Sequence, residues 1–160
     1  MAVASGAGIV YYELQDTTMT AQRFKHFLDN LQVVLHALDA NNACTTIVMD
    51  NAPVHRGASC GDSMLRYLPP YSPFLNPIEN CFSVIKMKIR ELLREEAVQR
   101  RISTVPIGMT AAHHRQTILH NLCTSVLQDG VSITGDVVAN MAEHVMTYMH
   151  RCSTRQDIIS

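Results

Sequence analysis

Two acidic residues, Asp50 and Glu79, are the best candidates for chemistry in this chain. Asp50 follows the short apolar and β-branched run Thr45–Met49, which predicts a strand that is buried on both faces. Glu79 follows the proline-rich segment Pro69–Pro73 and lies where a helix is expected to begin. Functional groups gather beyond the carboxyl ends of strands in open α/β sheets, so we expect both acids at one sheet edge. Two carboxylates converging there would hold divalent cations, and a pair of cations supports phosphodiester chemistry.

Each acid also has a purely structural interpretation. The segment Asp50–Pro53 is a good turn, in which the aspartate side chain bonds its own backbone. Asn76 is a candidate N-cap, with Pro77 in the first helical position and Glu79 in the third, where it would complete a capping box. For one acid alone the structural role is the simpler explanation, whereas the two acids together favour a shared site.

The elements that would position these acids form an α/β pattern. Two short apolar segments, Met1–Ser5 and Ile9–Leu14, flank a glycine-containing turn and predict a β-hairpin. A long amphipathic helix follows, because apolar residues recur at three- and four-residue steps: Phe24, Phe27, Leu28, Leu31, Val34, Leu35 and Leu38. A strand, a helix and a buried strand in this order indicate a layered α/β architecture.

The later elements are a strand and several helices. Met64–Leu68 predicts a short strand, and a second long helix begins near Asn76. Thr110–Gln128 and Asp136–His150 predict two further helices. We therefore expect an α/β unit over residues 1–101 and a C-terminal helical extension of the same domain over residues 102–160.

Composition argues against several other classes of protein. With 160 residues, 47% of them hydrophobic, the chain can form one globular domain with a core. No apolar run is long enough to span a bilayer, so we expect an intracellular protein that does not enter a membrane. Five scattered cysteines without a Cys-x-x-Cys pair argue against a disulfide framework and a zinc site.

The net charge of −1 does not by itself indicate a nucleic-acid partner. Any contact with DNA would need a local basic patch. The stretch Lys86–Arg101 supplies one, with six cations against three acids. Such a stretch is also typical of a solvated helix face, so both interpretations stay open from composition alone.

Two motifs resemble those of DDE-type transposases. Residues Ile47–Arg56 read IVMDNAPVHR, and residues Leu68–Asn80 read LPPYSPFLNPIEN. The strings and their order are similar to the second-acid and third-acid motifs of Tc/mariner-type transposases and their bacterial insertion-sequence relatives. The resemblance covers about Ile9–Ile89 and continues weakly at His144-Val145 and Tyr148–Cys152.

This resemblance implies a ribonuclease H-like fold, with a mixed sheet flanked by helices, and DNA cleavage and strand transfer with Mg²⁺ or Mn²⁺ held by three acids. Asp50 and Glu79 match the second and third of those acids and would be catalytic metal ligands. Supporting positions in the two motifs are Asn51, His55 and Asn76. The helix after the last acid would contact DNA through Lys86, Lys88 and Arg90. The implied partner is DNA at transposon ends and targets, in the nucleus if the host is eukaryotic.

Two departures from the family affect the expected activity. The first acid of the family ends a central strand that precedes the hairpin, and we expect this chain, which begins at Met1, to lack that strand. Glu13 and Asp16 are the nearest acids, but both flank an outer strand, which disfavours either as a replacement. The interval from Asp50 to Glu79 is also shorter than in the family, by about one to two helical turns.

An incomplete set of acids should bind magnesium poorly, because magnesium demands near-octahedral geometry. We therefore expect little or no nuclease activity from this chain by itself. The alternative function is a non-enzymatic module, derived from a transposase, that binds nucleic acid or protein. Strand edges left open by the missing strand would favour self-association or pairing with a full-length relative.

Overall fold

The structure, a computed structural model, describes residues 1–4, 6–38, 45–60, 64–130 and 132–153, without the side chains of 148, 149 and 151–153. The strands in these ranges are β1 (Ala2–Ala4), β2 (Gly8–Tyr11), β3 (Thr46–Met49) and β4 (Met64–Tyr67). The helices are α1 (Ala21–Leu38), α2 (Pro77–Arg94), α3 (Glu96–Ser103), α4 (Ala111–Gln128) and α5 (Gly135–Ser153). None of these helices is long and apolar enough to cross a membrane.

The strands form two separate pairs. β1 and β2 make the predicted antiparallel hairpin, and β3 and β4 run parallel, with Met49 opposite Tyr67 at their carboxyl ends. The pairs are not hydrogen-bonded to each other, so the described ranges contain two small sheets and not the single mixed sheet implied by the resemblance. The predicted α/β class is confirmed.

β3 differs from its sequence-based prediction, which expected burial on both faces and was wrong. Met49 is 7% exposed and packs with α1, whereas Val48, on the opposite face, is 54% exposed. A continuous apolar run is compatible with a strand covered on one side or on both, so the pattern alone could not distinguish the two cases. β3 is therefore a half-buried strand.

α1 is the predicted amphipathic helix, and it packs across both strand pairs. Its inward residues are buried: Phe24, Phe27, Leu28 and Leu31. Val10 and Tyr11 of the hairpin pack against this cluster, as do Ile47 of β3 and Leu65 of β4. Because the two pairs share no hydrogen bonds among the described residues, their common contact with α1 holds them in position.

The hairpin turns its other face to the C-terminal helices. Cys81 and Ile85 of α2, Val126 of α4 and Val138 of α5 form a second buried cluster, and Val3 and Ile9 pack against it. Val3 and Ile9 thus face the C-terminal helices, whereas their neighbours Ala2 and Val10 pack on the α1 cluster.

The hairpin turn and the start of α5 approach each other at backbone distance. The Gly6 N–H donates to the Gly135 carbonyl at 3.3 Å. A Cβ atom on Gly135 would collide with the Gly6 backbone, so this close approach requires glycine. α5 is therefore anchored on the hairpin.

The basic stretch identified in the sequence lies on two helices. Glu95, with an extended backbone at ψ 132°, separates α2 from α3. Lys86 and Arg90 belong to α2, whereas Arg100 and Arg101 belong to α3. The stretch is therefore not one continuous basic helix face.

Candidate functional site

Asp50 lies directly after β3, beside the end of β4. Its side chain is 48% exposed. Oδ1 accepts a hydrogen bond from the Ala52 N–H at 3.3 Å, so the turn expected from the sequence is present. Oδ2 makes no hydrogen bond to any residue in the described ranges, which leaves one carboxylate oxygen available for a ligand.

His55 is in direct contact with Asp50. Its Nδ1 lies 2.6 Å from Asp50 Oδ1 and 3.2 Å from the Asp50 carbonyl oxygen. The imidazole also packs on Phe24, with ring centroids 4.1 Å apart. The Tyr67 hydroxyl donates to the His55 carbonyl at 2.8 Å. With a proton on Nδ1, the ring donates to the carboxylate and fixes its orientation.

Asn51 links the two chain segments that leave the parallel strands. Its Nδ2 donates to the Leu68 carbonyl at 2.7 Å, and the Leu68 N–H donates to the Met49 carbonyl at 2.8 Å. The ends of β3 and β4 are therefore held together immediately beside Asp50. Asn51 acts on the backbone, and its side chain does not line the groove described below.

Glu79 lies in the first turn of α2, where Asn76 is the N-cap. Asn76 Oδ1 accepts from the Ile78 N–H at 3.3 Å, as expected for a cap. The reciprocal half of the capping box is not formed, because the Asn76 N–H donates to the Pro73 carbonyl at 3.0 Å. The Glu79 carboxylate is exposed and makes no hydrogen bond or ion pair to any described residue, so its structural role is weaker than the sequence allowed.

One groove brings the candidate residues together. It has a volume of about 460 Å³, and Asp50, His55, Asn76 and Glu79 all line it. One wall comes from the hairpin, along residues 1–4, and the other from β3. The groove thus runs between the two strand pairs, and α1 contributes further apolar lining.

The carboxylate oxygens in the groove are ligands of the type that hard divalent cations prefer. Carboxylate oxygens are preferred ligands of Mg²⁺ and Mn²⁺, and both Asp50 and Glu79 have oxygens free to bind. Within the described ranges there is no group of three or more His, Cys, Asp or Glu residues that could hold a metal ion. Mg²⁺ commonly binds one or two carboxylates and completes its shell with water and phosphate oxygens, so this pair suits a cation shared with a phosphate ligand.

The two other acids considered from the sequence, Glu13 and Asp16, do not line the groove. Glu13 accepts hydrogen bonds from Tyr11 at 2.6 Å, Gln15 at 3.1 Å and Asn30 at 3.1 Å. The bond from Tyr11 is the main reason that the pKa of Glu13 lies below its ordinary value. Glu13 therefore connects the end of the hairpin to α1.

The basic residues of α2 that were predicted to contact DNA lie on two opposite faces of the helix. Lys86 and Arg90 lie about two and three turns beyond Glu79, which places all three side chains on one exposed face. Lys88, about two and a half turns beyond Glu79, lies on the opposite face. Its Nζ is 3.4 Å from Glu91 Oε2, so Lys88 already has a partner.

Tyr67 and Phe24 contribute to the site although the sequence did not single them out for this. Phe24 was expected only as a core residue, and Tyr67 only as part of a short strand. The register that pairs Tyr67 with Met49 brings the tyrosine beside Asp50. That pairing joins segments far apart in the chain, so no local pattern marks it.

Comparison with known proteins agrees with this geometry at the level of a family. The family model described as DDE superfamily endonuclease matches residues 1–100. No curated protein and no solved structure matches the chain.

Proposed function

Because the chain belongs to the DDE superfamily endonuclease family, we propose that it is a transposase-derived domain whose Asp50 and Glu79 hold a divalent cation against a DNA phosphodiester. The two motifs favour a Tc/mariner-type origin with a ribonuclease H-like arrangement. The observation that supports the proposal most is that both carboxylates line one groove although they are far apart in sequence.

Each residue has a distinct role in this proposal. Mg²⁺ or Mn²⁺, when bound, would activate a water nucleophile and stabilise the leaving oxygen. Asp50 Oδ2 and the Glu79 carboxylate supply the protein's oxygen ligands. His55 orients Asp50 through the 2.6 Å contact, in the way that residues behind metal ligands commonly do. Asn76 caps α2 and so sets the position of Glu79 in its first turn.

Catalysis by this chain alone is expected to be weak or absent. Two carboxylates leave most of an octahedral shell to water and substrate, and Mg²⁺ gives up water reluctantly. Mn²⁺ ranks low in the general affinity order of divalent transition metals, so two carboxylates give only weak binding to it as well. We propose that cleavage requires a further carboxylate beside the pair, as in the three-acid sites of transposases.

Metal binding tests the proposed site directly. Titration of Mn²⁺ into the full chain, followed by electron paramagnetic resonance, should show weak binding, and Asp50→Asn and Glu79→Gln should each lower the affinity by about tenfold or more. Asp16→Asn is the matched control, because Asp16 is an exposed acid that does not line the groove. Equal binding by all four proteins would contradict the proposed site.

Plasmid nicking with Mn²⁺ tests the expected lack of activity. The chain alone should give no nicking above the level of the Asp50→Asn and Glu79→Gln variants. Robust cleavage that both substitutions abolish would show that two carboxylates suffice and that the expectation of inactivity is wrong.

A second candidate function is a non-enzymatic binding module. The open backbone edge of β3 along the groove favours it. The Thr45 and Met49 carbonyls point towards β4, where they accept from the N–H groups of Met64 and Leu68. Since successive residues of a strand direct their backbone groups to opposite sides, the backbone groups of Thr46 and Val48 point away from β4. We propose that a second copy or a full-length relative adds a strand to this edge.

A third possible function is a module that binds DNA without metal. Measurements of DNA binding distinguish it from the proposed endonuclease. Salt-sensitive binding that does not depend on Mn²⁺ and survives Asp50→Asn would favour it over the endonuclease proposal.

A further inference from the structure

Tyr71 has an unusual backbone conformation. It lies within the proline-rich segment Pro69–Pro73, which precedes α2, with φ 59°. In the described ranges it is the one non-glycine residue with a positive φ. Such a turn position normally takes glycine or asparagine, because a Cβ atom is strained there. A tyrosine at this position costs folding free energy that glycine would not.

The tyrosine side chain makes no contact with the described part of the chain that would offset this strain. It is fully exposed, at 100% relative accessibility. Its hydroxyl makes no hydrogen bond to any described residue. An aromatic ring held away from the core in a strained turn is unfavourable for folding alone, so an external partner is a better explanation for it.

The loop that carries Tyr71 is held firmly at both ends. Leu68 is hydrogen-bonded to Met49 and Asn51 on one side, and Leu75 is buried on the other. Pro69, Pro70 and Pro73 lie between these anchors and fix φ at three positions. Because the loop is stiff, the backbone of Tyr71 is held in place before any partner binds.

The position of the loop identifies the class of partner. Tyr71 follows Leu68 by three residues, so its Cα lies within about 11 Å of the Leu68 Cα. Leu68 itself is bonded to Met49 and Asn51, the residues on either side of Asp50. Leu75 then leads into α2, which carries Glu79. The loop therefore joins the two segments that carry the candidate acids, and a DNA strand bound at those acids would present bases beside the bound phosphate.

We propose that Tyr71 is a stacking platform for an unpaired nucleobase next to the phosphodiester held at Asp50 and Glu79. This inference rests on the proposed function, and it adds a preference for DNA that is locally unpaired at the site. Stacking on an aromatic ring needs a base that has left the duplex, and it tolerates any base because all have a π-face. The protein would thus bind DNA with a frayed end or an extruded base better than fully paired DNA.

Fluorescence anisotropy with two labelled duplexes tests the inference. One duplex is fully paired, and the other carries one unpaired 2-aminopurine; Ca²⁺ replaces Mn²⁺ so that no strand is cut. The wild-type chain should bind the second duplex roughly five-fold to a hundredfold more tightly and quench the 2-aminopurine fluorescence. Tyr71→Ala should lose both the preference and the quenching.

Two further variants separate the ring from the backbone strain. Tyr71→Phe keeps the ring and should retain the preference within about two-fold. Tyr71→Gly removes the ring and relieves the positive φ, so it should raise the thermal midpoint of unfolding while losing the preference. A purely structural role for Tyr71 would change stability without changing the ratio of the two affinities.

Each remaining outcome is decisive. If the wild-type chain binds DNA but does not distinguish the two duplexes, or if Tyr71→Ala retains the distinction, the stacking inference is overturned and the proposed function stands. If Tyr71→Ala changes only the oligomeric state, the ring contacts protein and the inference is likewise overturned. If the wild-type chain binds neither duplex at low salt, both the inference and the proposed DNA substrate fail.

Discussion

At the scale of single residues, the three basic residues that the sequence predicted to contact DNA lie on two different faces of α2. Lys86 and Arg90 share the exposed face of α2 with Glu79, whereas Lys88 is on the opposite face and bonded to Glu91. A phosphate backbone that passes Glu79 could reach the first two without disturbing an existing ion pair. We therefore expect Lys86→Ala and Arg90→Ala each to weaken DNA binding, and Lys88→Ala to have little effect.

The salt dependence of the affinity measures this difference. Each lost phosphate contact should reduce the slope of log K against log salt by about 0.9 for duplex DNA. Lys88→Ala is the matched control, since it removes the same charge from the same helix. Equal slopes for Lys86→Ala and Lys88→Ala would show that DNA does not follow the Glu79 face.

At the scale of elements, Glu13 connects the end of the hairpin to α1. Its carboxylate accepts from Tyr11, the last residue of β2, and from Asn30 on α1. Replacing it with glutamine removes the charge that strengthens both bonds. We expect Glu13→Gln to lower the free energy of unfolding at neutral pH by about 1 kcal/mol, because Glu13 is only partly buried.

The effect of Glu13→Gln should depend on pH in a defined direction. The folded-state pKa of Glu13 lies below its ordinary value of 4.5, chiefly because Tyr11 donates to the carboxylate. The ionised side chain therefore stabilises the fold above that ordinary value, and this contribution is lost as pH falls through the lowered pKa. Urea unfolding should show a difference between wild type and variant at pH 7 that disappears in acid. A difference that persists at pH 2 would mean that the carboxylate charge is not its cause.

The elements also show which parts of the structure are predictable from sequence. The periodic apolar stripe of α1 and the cap of α2 at Asn76 are local patterns, and both were predicted correctly except for Leu38, which was expected in the stripe and is exposed. The exposure of Val48 and the contact of Tyr67 with His55 depend on which distant segments pack together, so no local pattern indicates them. The break between α2 and α3 at Glu95 and the positive φ of Tyr71 occur at residues whose types favour neither feature.

Some features of the candidate site could likewise be predicted from the sequence, and others could not. The two motifs identified Asp50 and Glu79, and their location on one groove agrees with what strand and helix ends predict. The sequence could not show that the Glu79 side chain makes no bond to the Asn76 N–H, which donates to Pro73 instead, nor that His55 lies 2.6 Å from Asp50. Metal ligation and DNA contact by these residues stay predictions, as do the domain limits at 101 and 102.

At the scale of the whole molecule, α1 packs against two small strand pairs that share no hydrogen bonds in the part of the chain that the structure describes. Isolated two-stranded pairs are marginally stable, so each pair relies on the helices packed against it. The groove between them exposes backbone groups of β3, together with apolar side chains, to any extended chain that can enter. Unpaired edges of this kind are common sites of strand addition.

Proline in β3 tests whether this open edge binds another chain. The N–H of Val48 points away from β4, so Val48→Pro removes a groove-side donor and leaves the ladder bonds at Thr45 and Met49 in place. We expect the wild-type chain to form a concentration-dependent dimer in size exclusion with light scattering, and Val48→Pro to be monomeric. Val48→Ala is the control, because it shortens the exposed side chain and keeps the N–H. Dimerisation by the proline variant, or its absence in the wild type at high concentration, would show that the edge of β3 does not recruit a second copy.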